Sequence, residues 1–373
     1  GNLFTFLLFY ELLTIATYPL VIHRGTAEAL RAGRIYLIYT LAGGLVLLVG
    51  TLWLWVMAGS TDFAAGGMMA GIAAEKPVQA LMLFLVLIAG LGVKAALVPF
   101  HAWLPIAMVA PAPVSALLHA VAVVKAGAFG IMRVVYEVFG IHVAVDLGVT
   151  LPLAIAAGIT IIYGSLRALT QDDIKKRLAY STVSQVSYIT LGVALASPIA
   201  AIGALAHLIH QGLMKITMFM AAGNLAEGLG VKKVSAMNGV GRRMPGTMLA
   251  FTLAALAMIG LPPLAGFVSK WYLATGGLDA GQGWVIALLL GSSLLNAAYF
   301  LPMLHRAWFV DADRAVAAGK GTDKNAGYRR IGWMLSAPPL VTAALVLIAG
   351  GLANAPFSPL EWTRFIVAIE YRH

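Results

Sequence analysis

Ten apolar runs follow one another along the chain, separated by short polar connections. They cover residues 3–22, 35–58, 78–103, 112–136, 147–169, 178–197, 199–225, 246–275, 284–310 and 332–353, here segments A to J. Most have about the 20 residues that an α-helix needs to cross the hydrocarbon core. The pattern predicts an all-α polytopic membrane protein of about ten transmembrane helices. Two runs are interrupted. Segment C carries Pro99 shortly after Lys94, and segment H carries Pro262–Pro263 ahead of Lys270. A proline inside a helix removes one backbone bond and clashes with the carbonyl four residues back. Such a break is tolerated at membrane depth only where the freed groups face protein or a water-filled cavity.

Segments C and H lie five segments apart, and an odd offset reverses the direction of crossing. The expectation is two inverted five-helix repeats with one broken helix each. A–D (3–136) would be a partial first repeat, E–I (147–310) the second, and J (332–353) an extra helix, together a transmembrane domain 1–353. Residues 354–373 are a tail, in which the stretch from Pro359 reads as a short interfacial helix with Trp362, Phe365, Ile366 and Ile369 on one side. Pairing A–D with F–I leaves E without an earlier counterpart, and the chain opens on a glycine just before an apolar run. N-terminal helices are therefore expected to be missing.

Composition agrees with this picture. Of 373 residues, 61% are hydrophobic and 11% charged, against about 25% charged in a soluble domain. There is no cysteine, which excludes disulfides, thiolate zinc sites and iron–sulfur ligation within this chain. The formal charge of +10 is assigned to loop lysines and arginines rather than to nucleic-acid binding. Placing the A–B, C–D, E–F, G–H and I–J connections on one side gives that side seventeen lysines and arginines against four on the other. The bias makes the first side cytoplasmic. The I–J connection, about 305–331, reads as the longest cytoplasmic loop.

Five charged residues are left inside the segments: Glu11, Lys94, Lys125, Lys215 and Lys270. Each is expensive in hydrocarbon, on the order of 3 kcal/mol by insertion scales. One glutamate cannot neutralise four lysines. Some of the amines are expected to be neutral part of the time, as proton carriers must be. Glu11 lies near the middle of segment A, and Lys94 is its obvious partner. In segment G, His207, Gln211 and Lys215 share a face at i, i+4 and i+8, a stripe able to relay protons through water. His210 lies off that stripe. In segment D, His119 and Lys125 are six residues apart and would not share a face on a straight helix. Ser181, Ser184, Gln185, Ser187 and Tyr180 in segment F could support water, but read more readily as interhelical hydrogen bonds. His101, after the first break, is expected to cap exposed backbone. No two carboxylates are expected inside the membrane, and no metal site, cofactor or catalytic residue is expected.

These residues sit in FYELLTIATYPLV, GVKAALVPFHAWLPIAMVAPAPVSALLHAVAVVKAG, QDDIKKRLAYSTVSQVSY, HLIHQGLMKITMFMAAGNL and GLPPLAGFVSKWYL. Over about 5–275 the chain resembles the proton-conducting antiporter-like membrane subunits. That family includes the large subunits of Mrp-type Na⁺/H⁺ antiporters, three membrane subunits of respiratory complex I, and counterparts in membrane-bound hydrogenases. The resemblance implies fourteen helices in two inverted five-helix repeats, with segments A to J as the fifth to fourteenth. It implies a gating pair at Glu11 and Lys94, a central lysine at Lys125, a histidine-bearing helix at segment G and a terminal lysine at Lys270. Many members have a second histidine one turn after the first, where this chain has Gln211 with His210 beside it. Some complex I members have glutamate where this chain has Lys270. The run HQGLMKITMFMAAGNLAE is most similar to the D-type subunit of Mrp antiporters.

The expected function is proton translocation along Glu11, Lys94, Lys125, His119, His207, His210, Lys215 and Lys270, within a multi-subunit cation/proton antiporter. A pump subunit of a complex I-like dehydrogenase or a membrane-bound hydrogenase is the alternative, and a closed scaffold subunit the third. The chain itself would perform no bond chemistry. Expected partners are other membrane subunits, protons, Na⁺ as the candidate exchanged ion, and the lipid bilayer of a bacterial-type cytoplasmic membrane.

Overall fold

The computed structural model describes residues 1–311 and 331–370. Its helices are α1 (Leu3–Val21), α2 (Ala27–Ala58), α3 (Pro77–Lys94), α4 (Ala112–Phe139), α5 (Thr150–Leu169), α6 (Ile174–Ala194), α7 (Pro198–Leu229), α8 (Pro245–Ile259), α9 (Ala265–Asp279), α10 (Trp284–Phe309), α11 (Trp333–Gly351) and α12 (Pro359–Glu370). Short helical turns join some of them. Among the described residues there is no sheet, only two isolated β-bridges.

Local chemistry sets the ends of these helices. Asn2 Oδ1 accepts from Thr5 N at 2.7 Å and opens α1. Asp173 Oδ1 accepts from Lys176 N at 2.8 Å and opens α6. Ser197 caps α7, with Pro198 at its first position, where the missing N–H costs nothing. Gly260 closes α8 at φ 99°, a left-handed conformation that a Cβ would disfavour.

Among the described residues, eight helices are long and apolar enough to cross a membrane: α1 to α5, α7, α10 and α11. The two remaining crossings have physical reasons for failing that test. Helix α6 is rich in Ser, Thr and basic residues and is buried along most of its length, so protein rather than lipid surrounds it. Segment H is divided into α8 and α9, 15 residues each. Helices thus occupy all ten expected runs, with boundary changes that matter at three of them. Segment C ends as a helix at Lys94 rather than at 103, because the break at Pro99 unwinds it. Segment B begins at Ala27, so Arg31 and Arg34 ride on the first turns of α2. Segment D runs on to Phe139, which brings a buried acid, Glu137, into α4 beside Arg133. Glu137 thus joins Glu11 as an acid within a long apolar helix, one that the expected end at 136 had left outside. Residues 312–330, with most of the expected I–J loop, lie outside the described residues, as do the final three positions of the tail.

Helix α7 is the hub. It packs on α4, α6, α8, α9, α11 and α12. Small residues bring the backbones close: a Cβ at Gly203 would lie 2.8 Å from Leu273 N of α9, and one at Gly223 would lie 2.5 Å from Ala112 Cβ of α4. In lipid, close backbone approach supplies the packing that the hydrophobic effect supplies in water. Large side chains such as Phe9, Ile38, Val56 and Leu294 face outward, as lipid contact requires.

One end of the bundle is braced by its connections. Val234 N donates to Asp172 O at 2.7 Å and Ile174 N to Lys232 O at 3.0 Å. Asp172 also accepts from Ser235 N and Oγ at 2.9 and 2.8 Å. Partial burial pushes the Asp172 carboxyl up, and those two bonds with Lys233 and Arg177 nearby more than offset it, leaving it below the usual carboxylate range. Buried Arg177 donates to the carbonyls of Gln171 at 2.9 Å and Tyr299 at 2.8 Å. Arg24, Glu28, Asp173, Lys175 and Lys232 line one cavity of about 260 Å³ at this end. Three connections expected on the cytoplasmic side therefore meet on one side. At α12, Trp362, Phe365, Ile366 and Ile369 are exposed together, while Leu360, Thr363 and Val367 are buried, the amphipathic face read from the sequence.

Candidate functional site: a file of buried protonatable side chains

Lys94 is the last residue of α3 and is fully buried. Its ammonium lies 3.4 Å from Glu11 Oε1. It also donates to the Tyr10 carbonyl and sits 3.4 Å above the centroid of the Tyr10 ring. Tyr10 Oη in turn donates to Gly90 O at 3.2 Å, fixing the ring against α3. The carboxylate is held from the other side by α2. A Cβ at Gly44 would lie 2.5 Å from Glu11 Cδ, so only glycine leaves room for the acid there. Glu11 Oε2 is buried without a hydrogen-bond partner.

The chain leaves α3 through Ala96 at φ 55°, a conformation uncommon for a residue with a Cβ. Both interrupted segments carry a cis peptide before proline, Val98–Pro99 and Pro262–Pro263. At the first break the freed groups find side chains. Trp103 Nε1 donates to Val93 O at 2.8 Å, and Val98 N donates to Thr160 Oγ1 of α5 at 3.1 Å. His101 has no part in this. Its ring packs edge-on against Tyr163, 4.8 Å between centroids, and its Nδ1 has no partner. The expectation that His101 caps the backbone is corrected: indole and hydroxyl reach those groups instead.

Helix α4 is not straight. Residues Leu117–Val121 form a π-helical turn, closed by Ala122 N donating to Leu117 O at 3.0 Å. His119 lies in that turn and Lys125 one turn beyond it, so the face argument for a regular helix does not apply. Both side chains are buried, and both imidazole nitrogens of His119 and the Lys125 amine lack hydrogen-bond partners. Two residues after Lys125, a Cβ at Gly127 would lie 2.7 Å from the Lys94 carbonyl carbon. The central lysine is therefore carried past the end of α3 at close quarters.

The stripe on α7 lies against a matching stripe on α6. Lys215 Nζ donates to Leu178 O at 3.0 Å and to Ser181 Oγ. Two turns away, the His207 ring stacks on Tyr188, 5.1 Å between centroids at 27°. Between these contacts fall Gln211 and Gln185, buried with all their amide atoms unpartnered. His207 Nδ1 is bonded to Ser269 Oγ of α9 at 2.8 Å, and its Nε2 is unpartnered. His210 faces the Ala265 backbone with neither nitrogen in hydrogen-bonding geometry. Lys125 lies within electrostatic range of both Lys215 and His207. Of the expected helix–helix hydroxyl bonds, Ser184 meets Ser165 of α5 at 2.9 Å, while Ser187 bonds its own helix.

Lys270, on α9, reaches back across the second break. Its ammonium donates to the last carbonyls of α8, Met258 O at 2.9 Å and Ile259 O at 3.0 Å, and to Ser293 Oγ of α10 at 3.0 Å. A cation there meets the negative end of the α8 dipole. Among the described residues, no three His, Cys, Asp or Glu side chains form a ligand cluster for a metal.

The structure thus places the expected residues in three groups: the Glu11–Lys94 pair, the cluster in which Lys215 lies within electrostatic range of His119 and Lys125 and Lys125 within range of His207, and Lys270 at the second break. Sequence reasoning missed Tyr10, Gly44, Tyr188 and Ser269. The last two had a usable signal. Ser269 adjoins Lys270, and Ser181, Gln185 and Tyr188 recur at helical spacing opposite the α7 stripe.

The chain belongs to the NADH:quinone oxidoreductase/Mrp antiporter transmembrane family. That family's sequence profile matches residues 1–296. The chain is 40% identical over 310 residues to NADH-quinone oxidoreductase subunit N of Desulforudis audaxviator (strain MP104C), a match covering 83% of this chain and 61% of that protein. It is 33% identical over 297 residues to the D-type Na(+)/H(+) antiporter subunit of Bacillus subtilis (strain 168), covering 79% and 59% respectively. The chain thus spans about three fifths of these relatives. Among solved structures, it superposes on a chain of the Mrp complex from Dietzia sp. DQ12-45-1b with a TM-score of 0.86 at 25% identity, covering 100% of this chain and 74% of that one. A chain of the membrane-bound sulfane sulfur reductase, an archaeal respiratory membrane complex, gives a TM-score of 0.84 at 28% identity, covering 99% and 72%. Both neighbours are chains within larger membrane complexes.

Proposed function

We propose that this chain is the proton-translocating part of a multi-subunit cation/proton antiporter in a bacterial-type cytoplasmic membrane, with other membrane subunits as partners. The observation that carries the proposal is the file itself. Buried polar groups are nearly always paired by protein or by water. Here Lys125, His119, His210, Gln185 and Gln211 are buried with unpartnered polar atoms between two lysines at helix breaks. A file of this kind calls for water, and water between titratable side chains carries protons.

In this reading protons reach the Glu11–Lys94 pair, pass to Lys125, follow the α6–α7 stripe and leave by Lys270. Opening of the pair frees a positive charge that repels the next one along the file. Helices α1–α4 and α5–α10 act as two oppositely oriented halves of one transport unit. Na⁺ is the candidate exchanged ion. A second reading, a redox-driven pump subunit, is favoured by the 40% identity to NADH-quinone oxidoreductase subunit N. The residues and their roles are the same, and only the driving force differs.

The test is proton flux in sealed vesicles holding the complete native complex. Lys94→Ala and Lys270→Ala are each expected to lower flux at least about tenfold, the effect of 1.4 kcal/mol on a barrier. Intact flux and coupling in both variants would refute the relay and leave a closed scaffold. Flux driven by a Na⁺ gradient marks the antiporter, and flux driven only by a reduced electron donor marks the pump.

A further inference from the structure

The file has an awkward step between His207 and Lys270. Both are buried, yet no hydrogen bond joins them. They are connected instead by two bridges of other residues. On one side, His207 Nδ1 is bonded to Ser269 Oγ at 2.8 Å, and Ser269 is the chain neighbour of Lys270. On the other side stands Tyr188 of α6. Its ring stacks on the His207 imidazole at 5.1 Å, and the Lys270 ammonium lies 5.4 Å from the centre of the same ring. Tyr188 Oη donates to Ser292 Oγ at 2.7 Å, and the next residue, Ser293, accepts from Lys270 Nζ at 3.0 Å. Imidazole, ring, ammonium and the two serine contacts close a circuit through α6, α7, α9 and α10.

We propose that Tyr188 is the positioning residue that couples the charge of His207 to that of Lys270. This rests on the relay reading above. The face of an aromatic ring attracts a cation, more strongly when water is excluded. One ring here serves two groups that both become cationic on protonation. A proton arriving at His207 therefore changes the environment of Lys270 without a direct bond between them. The ring is the working part, and the hydroxyl anchors it to α10.

Other groups also bear on the circuit. Lys125 and His210 act on His207 from α4 and from its own helix, and Lys270 acts on it from α9. The Met258 and Ile259 carbonyls hold Lys270 from α8. None of these contacts is made by Tyr188 itself. The ring's contribution can therefore be read by itself, as a displacement of the pH profile of flux.

The experiment measures proton flux against pH in vesicles of the complete complex, with assembly checked by co-purification. Tyr188→Phe keeps the ring and is expected to retain the wild-type profile. Tyr188→Leu removes the ring, as does Tyr188→Met, whose longer, flexible side chain adapts to the space and serves if the leucine variant does not assemble. Without the ring the cationic states are harder to hold, so the profile should move to lower pH by about one unit. An unmoved profile in the ringless variants, with Lys270→Ala inactive, overturns the coupling role and leaves the relay standing. A Tyr188→Phe variant as impaired as Tyr188→Leu also overturns it, because the hydroxyl would then be the working part. Intact flux in both Lys94→Ala and Lys270→Ala would instead refute the relay itself.

Discussion

A buried ion pair in a membrane is held by more than its two charges. Lys94 has a carboxylate, a carbonyl and an aromatic face around one ammonium, and Glu11 has a glycine at its back. Gly44→Ala would place a methyl 2.5 Å from Glu11 Cδ, so the carboxylate has to move. The ammonium keeps its other two contacts, so the protein should still fold. Flux at neutral pH is expected to fall at least about tenfold, as in Glu11→Gln, although both charges are still present. Vesicle flux of the purified complex measures it, and wild-type flux in Gly44→Ala would show that the pair's geometry does not matter. The pair was legible in the sequence because hydrocarbon makes each charge expensive, and expensive residues need reasons. Gly44 was not legible. Glycine is ordinary in membrane helices, and its role exists only where another helix brings Glu11 against it. Glu137 was misplaced because the end of α4 was drawn short of Phe139.

At the scale of the element, a break survives by redistributing its hydrogen bonds. Pro99 announced the interruption in the sequence. The groups that repair it are distant: Thr160 lies on α5, and Trp103 lies beyond the unwound turn. Thr160→Val keeps the shape and removes the acceptor for the Val98 N–H. An unpaired, partly buried amide costs about 1–3 kcal/mol, so thermal unfolding in detergent should show a loss of that size. An unchanged unfolding temperature would show that the amide has another partner. The π-helical turn in α4 was illegible for a related reason. Leu117–Val121 are residues of a regular helix by composition, and nothing in their order marks the extra residue per turn. The spacing of His119 and Lys125, read on a straight helix, therefore does not describe α4.

Across the whole molecule, the file separates residues that hold the fold from residues that strain it. Lys215 donates hydrogen bonds to Ser181 and to the Leu178 carbonyl, whereas the buried Lys125 amine has no hydrogen-bond partner among the described residues. Burying an unpaired amine opposes folding, so nothing in local structure accounts for Lys125, whereas the proposed relay would. Lys125→Met should leave thermal stability unchanged or raise it while lowering flux at least about tenfold. Lys215→Met removes the charged donor from the Ser181 hydroxyl and the Leu178 carbonyl, so it should lower stability by about 1–3 kcal/mol. Measuring unfolding and flux on the same two preparations decides the matter. If Lys125→Met costs as much stability as Lys215→Met, Lys125 is a structural residue, and the proton file loses its centre.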